Sequence, residues 1–303
     1  MNKQSNWQLV SVETFVALAL VFGFASTTLA AAELPTFKAS NFSNPTNITN
    51  PWFALPVGRE FEYEGETDEG METIEIEITG ETKKVLGIKT LVYRDIVWVD
   101  GEVVEDTRDY LGQDNAGNVW YFGEDVDNYE DGEIADHDGS WLAGVDGAKP
   151  GYWMKANPKV GDYYKQEFYA GEAEDEAKVL SVTEKVKIGL GNYKDCLKIQ
   201  DIVPDEPVVE YKYYCKQVGG LVLEEKPVEG ERIELVEYET EDGTDTDEDE
   251  EEDELAFDDD EEDDEEEGKD KEKGKEVKNV HSLQVQLIAL LQQLIALLQS
   301  RSY

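Results

Sequence analysis

The chain has 303 residues and a formal net charge of −44, from 71 Asp and Glu against 27 Lys and Arg, which excludes nucleic-acid binding by charge attraction. A hydrophobic content of 40% with 10% aromatics is enough to fill one sizeable core, so a wholly disordered chain is excluded too. The charge is unevenly placed: Glu241 to Glu267 holds 21 acidic residues and no Lys or Arg, and residues 33–240 still carry −26.

Residues 1–32 read as a secretory signal peptide. Lys3 lies in a weakly basic start, the apolar stretch from Phe15 to Phe24 is too short for a comfortable membrane span, and Ala30-Ala31-Ala32 offers a small-residue cleavage site. An exported protein follows: secreted, periplasmic or on the cell surface. Residues 33–50 are polar and Asn-rich without periodicity, which predicts an extended lead-in.

From residue 51 to 240 the period becomes two. Phe61 and Tyr63, then Ile74, Ile76 and Ile78, alternate with charged residues, as half-buried strands do. Further strands are expected over 88–99, 102–110, 119–122, 163–169, 177–187, 196–203, 208–215, 221–225 and 232–238, about eleven in all, with no helix before residue 275. Asp100-Gly101 sits directly between two of these runs and is a strong hairpin signal. Without helices to make parallel crossovers, the prediction is an all-β antiparallel meander that forms a barrel, half-barrel or sandwich. A turn centred between Asp205 and Glu206 sets Cys196 opposite Cys215, and in an exported protein such a pair oxidises to a disulfide.

The segment from Glu124 to Trp141 is too polar for a buried strand and dense in oxygen ligands. Aligned to an EF-hand loop from Asp127, it offers Asp131 at the fifth position, Gly132 at the sixth and Asp138 at the twelfth, but Tyr129 at the third and no flanking helices. Its functional reading is a different loop geometry that converges Asp127, Asp131, Asp136 and Asp138 on Ca2+. The alternative is a solvated acidic loop. Trp141 and Trp153 lie in Gly-rich, irregular sequence and are candidates for stacking on a sugar or another flat ligand, against the alternative of core packing.

The opening Asn50-Pro-Trp-Phe-Ala-Leu-Pro-Val-Gly58, followed by Phe61, Tyr63 and Gly65, resembles that of a family of uncharacterised, exported bacterial β-domain proteins, with the pattern N-P-aromatic-x-x-L-x-x-G-x-x-aromatic-x-Y-x-G. Asn118-Val-Trp-Tyr-Phe-Gly123 and Gly219-Gly-Leu-Val222 are similar to its later blocks. The resemblance covers residues 50–225 and implies export and an all-β domain; it brings no catalytic residues.

An enzyme is not expected. His137 and His281 are the only histidines, and no nucleophile elbow, P-loop or dinucleotide fingerprint is present. Residues 241–279 read as a disordered charged linker that condenses divalent cations weakly. Residues 280–303 read as an amphipathic helix, because Leu287-Ile-Ala-Leu-Leu-Gln-Gln293 recurs as Leu294-Ile-Ala-Leu-Leu-Gln-Ser300. Its stripe of Leu287, Leu290, Leu291, Leu294, Leu297 and Leu298 predicts a coiled coil, self-association, membrane contact or docking on a protein. The combined expectation is an exported, non-enzymatic surface or envelope protein, its acidic β-domain binding divalent cations and its terminal helix multimerising or tethering it. The alternatives are a β-barrel binding module for a sugar or lipid and a glycosidase-like enzyme with a carboxylate pair.

Overall fold

The alternation of apolar and charged residues is realised as antiparallel sheet in a computed structural model that describes residues 31–204 and 208–239. The described residues hold eighteen strands, more than the eleven or so expected. A hairpin of β1 (Ile48–Asn50) and β2 (Phe53–Leu55) comes first, and then β3 (Glu60–Glu66), β4 (Met71–Glu77), β5 (Thr82–Val85), β6 (Ile88–Val99), β7 (Glu102–Gln113) and β8 (Val119–Glu130). The short β9 (Glu133–Asp136), β10 (Trp141–Leu142), β11 (Lys149–Met154), β12 (Tyr163–Lys165) and β13 (Glu167–Phe168) follow. The chain continues through β14 (Glu176–Ile188), β15 (Gly191–Ile202), β16 (Glu210–Cys215), β17 (Gly220–Lys226) and β18 (Glu231–Glu239).

Thirteen strands run as one hydrogen-bonded path, β12-β14-β15-β16-β17-β18-β3-β4-β6-β7-β8-β11-β13. The two ends of this path are consecutive in the chain, with only Gln166 between them. The sheet is therefore a nearly closed barrel whose seam is the peptide through Gln166. The run 163–169, expected as one strand, divides there because its halves pair in opposite directions around the barrel: Tyr164 with Ala177, Glu167 with Pro150.

One end of the barrel is filled by the β1–β2 hairpin. Phe53 sits among the inward-facing rings of Tyr93, Trp153 and Tyr214 at centroid distances of 5.7, 5.6 and 6.2 Å. Asn50, 2% exposed, anchors the hairpin: its Nδ2 donates to the carbonyls of Gly117 (3.0 Å) and Lys155 (3.2 Å), and its Oδ1 accepts from the Trp52 amide. The lead-in is not a bare extended arm. It forms a 3-10 turn at Ala39–Asn41 and strand β1, and Phe37 and Phe42 cover Trp120 and Phe122.

Cys196 and Cys215 form a disulfide, and the neighbouring register of Leu197 with Tyr214 and Lys198 with Tyr213 is the one that a turn between Asp205 and Glu206 requires. Both cysteines are fully buried. Cross-linking two strands across a loop of about 20 residues restricts the unfolded chain, so the double substitution Cys196→Ser, Cys215→Ser is expected to lower unfolding free energy by about 3 kcal/mol in urea denaturation.

The described residues contain no α-helix, only the three-residue turn at 39–41, and none of their helices is long and apolar enough to cross a membrane. This overturns the coiled-coil assignment: the described residues form strands joined by turns and loops. Residues 1–30, the linker and the heptads with Leu287, Leu290, Leu291, Leu294, Leu297 and Leu298 lie outside the described residues.

Candidate functional site

Strand alternation sorts the acidic residues of β6, β7 and β8 onto two faces. On the outer face Arg94 bonds Glu77 (2.9 Å) and Asp106 (2.8 Å), while Arg108 bonds Asp106 (3.2 Å) and Asp127 (3.3 Å). The inner face carries Tyr93, Asp95, Thr107 and Asp109, with Tyr93 opposite Asp109 and Asp95 opposite Thr107. Glu77, Asp106 and Asp127 thus have guanidinium partners on the outer face and Asp125 has the Lys83 ammonium at 2.7 Å, while Asp95 and Asp109 on the inner face have no guanidinium.

A bulge brings another carboxylate inside. The pairing of β7 with β8 shifts between Asp109–Glu124 and Leu111–Tyr121, and Gly123 at φ 132° absorbs the extra residue. Tyr121 and Glu124 consequently face the same cavity, although strict alternation would place them on opposite sides. A Cβ on Gly123 would stand 2.4 Å from the carbonyl oxygen of Trp141.

The seam supplies Gln166 and Glu167, and β15 and β16 supply Asp201, Lys212 and Tyr214. Together they line a half-open cavity of about 210 Å³, with seven carboxyl groups, one ammonium and the rings of Tyr121, Trp153 and Tyr214 around it. This is room for about seven water molecules, less than the 300 Å³ or more typical of drug-sized pockets. A second cavity of about 280 Å³ shares Asp201 and reaches the exposed Val203 and Val208.

Burial dominates the acid–base behaviour here. It pushes Glu167 up to about 9, with Asp175 and Glu124 adding repulsion, and Asp95 up to about 8, with Glu105 and Glu224 adding to it. Burial also lifts Glu124 to about 7 and raises Asp109 well above the ordinary carboxylate range, although the Tyr121 hydroxyl donates to Asp109 Oδ1 at 2.5 Å. Lys212 behaves differently: burial pulls it down, but Asp201 (2.7 Å) and Glu210 (3.0 Å) more than reverse this and hold it charged. Its charge is therefore committed to the β15–β16 side of the cavity.

Five residues that line the cavity each carry a polar atom that is buried without a hydrogen-bond partner in the protein: Asp95 Oδ1, Asp201 Oδ1, Gln166 Oε1, Glu167 Oε2 and Trp153 Nε1. Four of these atoms are acceptors or carboxyl oxygens, and one is an indole N–H. Glu167 is only 6% exposed. The indole N–H of Trp141 lies beside the carboxyls of Glu124 and Glu167 and favours their ionised forms, without reaching hydrogen-bond geometry to either.

No family model, curated protein or solved structure matches the chain. The reading of the cavity therefore rests on its own chemistry. A wider surface hollow of about 740 Å³ beside Trp52, Lys194 and Lys216 holds none of the buried unpartnered atoms. The outer acidic ladder, where Glu60 faces Glu77 and Glu62 faces both Glu75 and Glu237, is an open sheet surface.

Of the residues singled out from sequence, Trp153 lines the cavity, and Trp141, 4% exposed, packs edge-on against Tyr121 behind it. The four carboxylates proposed for Ca2+ are spread along the β8–β9 hairpin. Asp127 pairs with Arg108 and lies 2.9 Å from His137 Nδ1, and Asp131 sits at the hairpin tip with Gly132 at φ 52° and 76°. Asp136, on β9, accepts from Asn128 and from the amide of Asp138. Among the described residues no group of three or more His, Cys, Asp or Glu side chains is placed to hold a metal ion. The polarity that marked a loop belongs to a β-hairpin whose second strand, β9, is exposed at every residue. Asp95, Asp109, Glu124 and Glu167 were not singled out from sequence. Their signal, an acid at an inward position between apolar neighbours such as Tyr93 and Val97, is readable only once the inner face is known.

Proposed function

We propose that the β-domain is a ligand-binding barrel of an exported protein, and that its interior receives a small polar molecule rich in hydrogen-bond donors. The observation that carries this reading is the set of five buried polar atoms without a protein partner around one cavity of about 210 Å³. Each such group costs about 1–3 kcal/mol if left unsatisfied, and five of the nine buried unpartnered side-chain atoms among the described residues belong to residues around this one cavity, which favours a binding surface over a packing defect. Aromatic rings beside convergent polar groups with perturbed ionisation are the usual make-up of a small-molecule site. Seven carboxyl groups around the space disfavour phosphates, carboxylates and fatty acids. The disulfide supports export, because it forms in oxidising compartments.

Thermal unfolding of the full chain with millimolar glycerol, inositol, glucose, glucosamine and ethanolamine tests the reading. At least one probe is expected to raise the melting temperature by several degrees, since saturation to about 100 times Kd adds about 2.7 kcal/mol. The rise should vanish in Asp95→Ala, Glu167→Ala. No shift with any of the five probes overturns the reading.

A further inference from the structure

We propose that the ligand of the barrel interior carries a protonated amine beside a hydroxyl group, as an amino sugar or amino alcohol does. This rests on the reading of the cavity as a ligand site and goes on to its chemical class. The basis is an imbalance of partners across the cavity. On the β15–β16 side Lys212 serves Asp201 and Glu210, at 2.7 and 3.0 Å. On the β6–β8 and seam side, among the described residues, no Lys, Arg or His forms an ion pair with Asp95, Asp109, Glu124 or Glu167. The arginines of these strands point outward to Glu77, Asp106 and Asp127.

Glu167 is 6% exposed, its Oε2 is without a partner and it lines the cavity, so the acidic cluster is a built pocket and not a solvated patch. Asp95 lines the same space, and its buried Oδ1 is likewise without a partner. A ligand ammonium supplies both the charge and the donors that this side lacks. The ring of Trp153, edge-on to Tyr121 at 4.9 Å, adds a π surface that attracts a cation. The Trp153 indole N–H is a donor and matches a ligand oxygen, which an alkylamine without hydroxyls does not offer. A metal ion is the poorer occupant, because no three ligating side chains among the described residues are placed to share one.

Isothermal titration of the full chain with glucosamine, glucose and N-acetylglucosamine varies only the amine on one ring: protonated, replaced by hydroxyl, or acylated. Glucosamine is expected to bind at least tenfold more tightly than either neutral sugar. Glu167→Gln and, separately, Asp95→Asn are each expected to weaken it at least tenfold while the protein keeps its cooperative melting transition. Ethanolamine extends the comparison to the minimal amine with a hydroxyl, and is expected to bind more tightly than ethylene glycol. Equal affinity for glucose and glucosamine overturns the amine inference and leaves the ligand-binding reading standing. Binding of neither glucosamine nor ethanolamine, with a melting shift from glycerol or inositol, does the same. Amine binding that survives both substitutions undiminished overturns the assignment to this cavity.

Discussion

Raising the pH from about 5 to about 9 is expected to lower the melting temperature of the β-domain by about 10 °C or more, the reverse of the usual behaviour of an acid-rich protein near neutrality. The sign follows from the interior carboxyls. Burial raises Glu124 and Glu224 to about 7, Asp95 to about 8 and Glu167 to about 9, so the folded chain holds protons that the unfolded chain has released. Stability is therefore highest near the unfolded carboxyl range and is lost as the pH rises through these folded values. Each unit corresponds to about 1.4 kcal/mol, and the sum over the cavity is of the order of several kcal/mol.

Groups shifted the other way do not cancel the effect within this window. Burial also opposes ionisation of Glu210, Asp125 and Glu234, but Lys212, Lys83 and Arg232 hold them below the ordinary range, and their contribution is complete once the pH exceeds about 5. Lys212 and Lys226 are held above the usual lysine value, so they lose their protons only beyond the window. Differential scanning calorimetry across the series at constant ionic strength reads the slope. Asp95→Asn, Glu167→Gln should flatten it and raise the melting temperature at about pH 8. A flat profile in the parent protein would show that these carboxyls ionise in the folded barrel without cost.

Gly151→Ala is expected to cost at least about 3 kcal/mol and to lower the melting temperature by about 6–12 °C. Gly151 lies on β11 where the barrel closes, and a Cβ there would stand 2.4 Å from the carbonyl oxygens of both Lys165 and Gln166. Both obstacles are backbone, so no side chain can rotate aside. The seam strands are joined by only two paired positions, Lys149 with Phe168 and Pro150 with Glu167, and have little register to spare. Gln166 and Glu167 line the cavity directly beyond this approach, so the variant should lose its ligand response along with its stability. Gly189→Ala is the matched control: its nearest neighbour is Glu234 Oε2 at 4.0 Å, and less than about 1 kcal/mol is expected. Equal melting temperatures for the two variants would show that β11 does not approach the seam this closely.

The hairpins were legible because their information is local. Asp100-Gly101 adopts φ 51° and 83°, the paired left-handed turn that this dipeptide signals, and joins β6 to β7. Asp131-Gly132 does the same at 52° and 76°, and the same signal was present there. The surrounding acidity masked it, since a strand that projects beyond the core has no apolar face to alternate. The lead-in was obscured for a related reason: Phe37 and Phe42 are isolated aromatics without a period, and only the position of Trp120 and Phe122 shows what they cover.

The sequence by itself determined the all-β fold of the described residues, their antiparallel sequential hairpins, and a disulfide from Cys196 to Cys215. These depend on period-two patterning and on turns between neighbouring segments, which a linear reading contains. Only the tertiary structure decided that β18 pairs with β3, that β12 and β13 end the path on either side of Gln166, and that Glu124 faces inward past the bulge at Gly123. The physical reason is parity and closure. One extra residue exchanges the two faces of a strand, and a barrel has an inside only when its ends meet, so the acids that form the cavity cannot be told from those that face water until both are fixed.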